Sequence, residues 1–166
     1  MSSALEICNA ALLLLGQTEM ASMDEKTTQA RLCRGLYPTV RTELMRRHAW
    51  NAIIRRETLA PQLDAPPHTW TKWALLPEDF LRMLSFGLDY RPEDYVIEQR
   101  KILANTDVFR VRYVADRPEE EWCAGMVAVA IAMMRRDLAY PVTKSTSLRD
   151  TLVAEAKDTL KTAKAI

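Results

Sequence analysis

Apolar residues fall at helical spacing in four stretches of this chain and at alternating spacing between them. In the first stretch Leu5, Cys8, Leu12 and Leu15 share one face, and Ser3 with Glu6 three residues on forms a capping-box signature. Gly16 suits the position just past a last turn, so a helix is expected over residues 4–15. In the second stretch Cys33, Tyr37, Val40 and Leu44 recur at steps of four, three and four, and Trp50, Ile53 and Ile54 prolong the apolar surface. Asp24 or Thr27 is the candidate cap. The pattern predicts one long helix over 27–56, kinked at Pro38, where the missing N–H and the ring clash cost about 3 kcal/mol.

From Glu57 the texture changes, with prolines at 61, 66, 67 and 77 breaking any helix. Trp70 and Trp73 flank Lys72 in a strand-like segment, and Leu76 to Phe80 reads as one tight turn with its proline first. Leu81–Leu88 reads as a strand. Tyr95–Glu98 and Lys101–Ala104 read as a hairpin around Gln99 and Arg100, although neither is the Gly, Asn or Asp that such turns favour. Phe109, Val111, Tyr113 and Ala115 then alternate with Arg110, Arg112 and Val114, the period of a strand with one buried face. Glu119, Glu120 and Glu121 are expected in the first turn of a helix running through Trp122–Met134 and stopping before Pro141. A last helix, capped by Ser145, Thr146 or Ser147, carries Leu148, Leu152, Ala156, Leu160 and Ala163 on one face.

The expectation is an α+β fold, mostly α. Residues 1–166 form a single domain, with a helical bundle from 4–56 and 119–165 and a small inserted antiparallel β-sheet in the β-rich stretch 57–116. Trp50 and Trp122 are the expected packing anchors between the helical halves.

Composition narrows this picture modestly. With 166 residues, 48% hydrophobic and 27% charged, the chain can bury a core and does not resemble a disordered one. The apolar run Trp122–Met134 is short of the roughly 20 residues a membrane span needs, so no membrane association is expected. Ala10–Leu15 follows Glu6 and no basic residue, unlike a signal peptide. Cys8, Cys33 and Cys123 are odd in number and far apart, which reads as buried free thiols in a reducing compartment.

Charge separates the long second stretch from the rest. Residues 27–56 hold seven arginines against Glu43 alone, or +6, and since the chain totals +1 everything else sums to −5. Two uses fit such arginines: phosphate contact, or ion pairs within this chain or with a neighbouring subunit. Arg41, Arg46, Arg47, Arg55 and Arg56 are the candidate partner or DNA contacts. Catalytic chemistry finds no support. His48 and His68 lack metal-ligand neighbours, and four glycines form no phosphate-cradling loop, so neither an enzyme nor a cofactor is expected.

Read in order, four stretches resemble the tail tubular protein A family, the head-to-tail adaptors of short-tailed bacteriophages. Ala4 through Leu12 with Leu15 and Gly16 resembles the family's opening helix. Ala30 to Cys33, Tyr37 to Arg41 and Leu44 to Asn51 resemble its second. Trp73 through Arg82 contains the "LPxDFLR" signature as Leu76-Pro-Glu-Asp-Phe-Leu-Arg82, and Leu138 through Thr143 resembles the junction before the last helix. Gln99 stands where a hairpin glycine would be expected, which implies a wider turn, and the chain is on the short side for the family.

The resemblance implies a structural virion protein. It would be made in the host cytoplasm and form a homo-oligomeric ring, usually a dodecamer, at the portal vertex. That ring would lie at the head–tail junction between the portal protein and the tail nozzle protein, with a channel for genome ejection and possible non-specific contact with packaged DNA. The alternative is a nucleic-acid-binding helical module using the basic helix 27–56.

Overall fold

The computed structural model describes residues 3–87 and 94–164. Helix makes up 49% of the described residues and two small antiparallel sheets make up the strands, so the fold is mixed α+β. The chain divides into two compact units, residues 1–48 with 118–166 and residues 49–117.

The first unit holds four helices among the described residues. Helix α1 (Ala4–Leu13) starts with the capping box realised: Glu6 N–H donates to Ser3 Oγ at 3.2 Å, and Ser3 N–H donates to Glu6 Oε2 at 2.8 Å. Helix α2 (Thr28–Arg47) is capped by Thr27, whose Oγ1 accepts the Ala30 N–H at 3.2 Å, and it carries Pro38 inside. Helix α3 (Ala124–Thr143) packs against each of the other three helices. Helix α4 (Thr146–Lys164) follows after Lys144, whose left-handed backbone (φ 59°) lets its N–H reach the Tyr140 carbonyl at 2.9 Å. Ile7, Leu12, Val40, Leu44, Met126 and Leu138 are among the fully buried side chains.

Helix α1 ends at Leu13, two residues short of the expected 15, and three other helix boundaries differ by more. Helix α2 ends at Arg47, not at residue 56, so no continuous basic helix spans 27–56. His48 is extended, Asn51–Ile53 make a single 3-10 turn, and Ile54–Leu59 form strand β1. Trp50 and Ile53 are indeed buried, at 3% and 1% exposure, but periodicity reported their burial and not their conformation. Strand pairing of 54–59 supplies backbone hydrogen bonds that the helical reading left out, and Ile54 and Thr58 are β-branched. Second, Glu119–Glu121 form a 3-10 turn ahead of α3 and not its first turn. Third, α3 passes through Pro141 and ends at Thr143.

The second unit holds two three-stranded antiparallel sheets where one sheet was expected. In the first the strand order is β1 (Ile54–Leu59), β6 (Phe109–Ala115), β3 (Phe80–Phe86). In the second it is β2 (Lys72–Leu75), β5 (Lys101–Ala104), β4 (Tyr95–Glu98). Leu88, the expected end of the β3 stretch, lies outside the described residues. The β4–β5 turn is tight despite its residues: Gln99 and Arg100 both take left-handed backbone, φ 47° and 63°, as a two-residue hairpin turn requires. The wider turn inferred from the missing glycine is therefore not found.

A shared core draws on both sheets, with Ala74, Ile102 and Ala104 from one and Phe86, Phe109, Val111 and Tyr113 from the other. The Phe86 ring lies 5.2 Å from that of Tyr95 and 5.6 Å from that of Phe109. Trp50 belongs to this unit, and Trp122, 7% exposed, to the helical one.

Candidate functional site

The five arginines singled out from sequence do not form one surface. Arg41 is engaged within the helical unit: its Nε donates to Glu119 Oε1 at 2.8 Å, and Tyr37 donates its hydroxyl to the same oxygen, also at 2.8 Å. The Arg41 guanidinium stands 5.9 Å from the Trp122 ring centre. Burial, reinforced by the Glu119 hydrogen bond and charge, pushes the Tyr37 hydroxyl well above the usual phenol range. Glu119 was expected as a helix-dipole residue. It serves instead as the acceptor that ties α2 to the turn before α3.

Arg47 pairs with Glu43 one turn earlier, and the other Glu43 oxygen lies 3.4 Å from Arg136 Nη2. Arg136 also grips Asp137 with two bonds, 2.6 and 2.8 Å. Those bonds, with Glu43 beside them, outweigh burial and raise the Arg136 guanidinium further. Arg34 donates to the carbonyls of Met23 at 2.6 Å and Glu25 at 3.2 Å, which pins the loop before α2. Arg34, Arg41 and Arg47, three of the seven arginines of the +6 segment, are thus used internally. Arg46 is the exception among the candidates on α2. It is exposed and pairs with no carboxylate among the described residues.

Arg55 and Arg56 lie on β1, exposed, and Arg56 joins residues that the sequence reading left aside. The register sets Arg56 directly opposite Arg112 and Thr58 opposite Arg110, while Ser85 faces Arg112 from the other side of β6. Arg56, Arg110 and Arg112 therefore project from one face of the β1–β6–β3 sheet, around a hollow of about 310 Å³ that Thr58, Ser85 and Gly87 help to line. Alternation along 109–115 was enough to put Arg110 and Arg112 on the polar face. Their meeting with Arg56, more than fifty positions away, depends on strand pairing that no local pattern carries.

Of the two acids in the "LPxDFLR" stretch, Glu78 is exposed and Asp79 turns inward. Tyr113 donates its hydroxyl toward Glu57 Oε1 at 2.9 Å and Asp79 Oδ1 at 3.0 Å, and Arg117 lies 3.9 Å from the other Asp79 oxygen. Among the described residues no group of three or more His, Cys, Asp or Glu side chains is placed to hold a metal ion, and no helix is long and apolar enough to cross a membrane. Cys8 and Cys33 are buried, whereas Cys123, expected to be buried, is exposed at the N-cap of α3, where its thiol makes no capping hydrogen bond.

No family model matches the chain, and no curated protein matches it.

Proposed function

We propose that this chain is a structural, non-enzymatic virion protein, the head-to-tail adaptor of a short-tailed bacteriophage. In this reading the four helices act as a bundle that packs into a homo-oligomeric ring on the portal, and the two-sheet unit meets the tail nozzle. The genome passes through the ring's channel.

What supports the reading is the role of its most distinctive motif. The polar contacts of Pro77, Asp79 and Phe80 are framework contacts. Phe80 N–H closes the turn on the Pro77 carbonyl at 3.1 Å, and the Asp79 carbonyl accepts the Asp116 N–H at 2.6 Å. Arg100, from the β4–β5 turn, donates to the Pro77 carbonyl at 2.6 Å and accepts the Leu76 N–H on its own carbonyl at 2.9 Å. The stretch thus clasps the two sheets together, which suits a protein that presents surfaces to partners and not one that turns over a substrate. The ordered resemblance of four stretches along the chain supplies the rest, and fold-level analogy alone would not.

The test is electron microscopy of the purified chain mixed with the portal protein of the same virion. Rings capping the portal are expected. A chain that stays dispersed and leaves the portal undecorated, under conditions where circular dichroism shows it folded, overturns the proposal.

A further inference from the structure

We infer that the arginine-lined hollow on the β1–β6–β3 sheet binds the phosphate backbone of duplex nucleic acid without reading its sequence. Arg56 and Arg112 are direct cross-strand partners, and like charges placed so repel one another. Arg56, Arg110 and Arg112 meet no carboxylate partner among the described residues, and the Nε of Arg112 is buried without a hydrogen-bond acceptor. Glu57 borders the same hollow, but its carboxylate accepts the Tyr113 hydroxyl and its register partner is Val111, on the core side. The groups that remain around the hollow are donors: three guanidiniums and the hydroxyls of Thr58 and Ser85. Such a set is an anion receptor, and guanidinium forks match phosphate oxygens.

Spacing and charge favour a nucleic-acid backbone over a single small anion. Arg110 and Arg112 are two residues apart on one strand, about 6.8 Å, and Arg56 lies one strand over, about 4.8 Å away. That reach covers neighbouring phosphates of one strand, and three fixed positive charges exceed what one phosphate neutralises. A protein partner fits less well, since interface centres are rich in aromatic and apolar side chains and this lining offers none exposed. The same lack of an aromatic platform argues against unpaired bases stacking here and leaves the duplex backbone as the ligand. With no side chain aimed at base edges, binding is electrostatic and indifferent to sequence.

This inference does not require the adaptor reading. The experiment is fluorescence anisotropy of the full chain with a labelled duplex of arbitrary sequence, taken across a salt series. The logarithm of the binding constant is expected to fall linearly with log salt. R56Q/R110Q/R112Q should flatten that slope by about 2.7, or 0.9 for each phosphate contact removed, while R56K/R110K/R112K should keep it. R110Q alone, at an exposed position, should flatten it by about 0.9 and decides the matter if the triple Gln variant does not fold. An unchanged slope in these Gln variants, or no binding by the wild-type chain, overturns the inference. Displacement of the duplex by inorganic phosphate at constant ionic strength would overturn the duplex assignment in favour of a small-anion site. Ring assembly on the portal is assayed without nucleic acid, so either proposal can fail while the other stands.

Discussion

The hydroxyl of Tyr113 stands 3.0 Å from Asp79 Oδ1 and 2.9 Å from Glu57 Oε1. The single O–H proton serves one carboxylate at a time, tying the central strand β6 to β1 when it points at Glu57 and to the turn before β3 when it points at Asp79. Arg117, 3.9 Å from Asp79, offsets part of the paired negative charge. Tyr113→Phe keeps the ring and its contact with Phe80, whose centre lies 5.6 Å away, but leaves both carboxylates facing an apolar edge. The expected loss is about 1–3 kcal/mol, seen as a lower urea midpoint at unchanged m-value. Asp79→Asn retains an acceptor and should cost less than Tyr113→Phe. Equal stability of Tyr113→Phe and the wild type would mean that the clasp contributes nothing.

Alkali should destabilise the fold through two phenols. Burial first, and neighbouring carboxylates second, raise both Tyr37 and Tyr113 above the ordinary phenol value of about 10. Above pH ~10 the unfolded chain releases protons that the folded chain keeps, so stability is flat below that pH and falls as pH rises beyond it. Phenolate absorbance should show Tyr37 and Tyr113 ionising only with unfolding. The Tyr37→Phe, Tyr113→Phe double variant should lose most of this alkaline slope. Full phenolate absorbance at pH ~10–11 with intact circular dichroism would contradict the assignment.

The helical face at Cys33, Tyr37, Val40 and Leu44 was legible because a local period reports burial directly, and all four are buried. So was the inward set of β6. The end of α2 was not legible, because Trp50 and Ile53 continue the apolar surface while the backbone changes from helix to strand. What decides that change is pairing of 54–59 with 109–114, a contact between segments far apart in the chain. The split into two sheets escaped for the same reason. Arginine count flagged residues 27–56 as a possible site, but count alone could not separate Arg41, held by Glu119, from Arg56, which has no carboxylate partner among the described residues. Arg112 was visible only as one member of an alternating strand.

Thiol chemistry should distinguish one cysteine from the other two. Cys8 and Cys33 are fully buried, and a hydrogen bond with Cys33, reinforced by burial, holds the Cys8 thiol far above the usual range. Cys123 is exposed. An aromatic disulfide reagent is expected to titrate a single thiol rapidly in the folded protein and all three after denaturation. Cys123→Ser should abolish the rapid phase with little change in melting temperature. A second rapid equivalent in the folded state would show that the packing between α1 and α2 opens readily.

Arg46, exposed near the C-terminus of α2, bears on assembly. If subunits pack side by side in a ring, Arg46 is free to meet an acid on the neighbouring subunit, whereas Arg41 and Arg47 already have Glu119 and Glu43. An exposed pair of this kind contributes about 0.2–1 kcal/mol and is screened over about 8–10 Å at physiological salt. A closed ring repeats it at every interface, so a small term becomes a large one. Arg46→Glu converts attraction into repulsion without breaking an intrachain pair, which Arg47→Glu would do. Ring formation on the portal, measured without nucleic acid, should therefore weaken with added salt in the wild type and fail at physiological salt in Arg46→Glu. If Arg46→Glu forms normal rings at every salt concentration, lateral pairing through this residue is excluded, and the basic end of α2 must serve another contact.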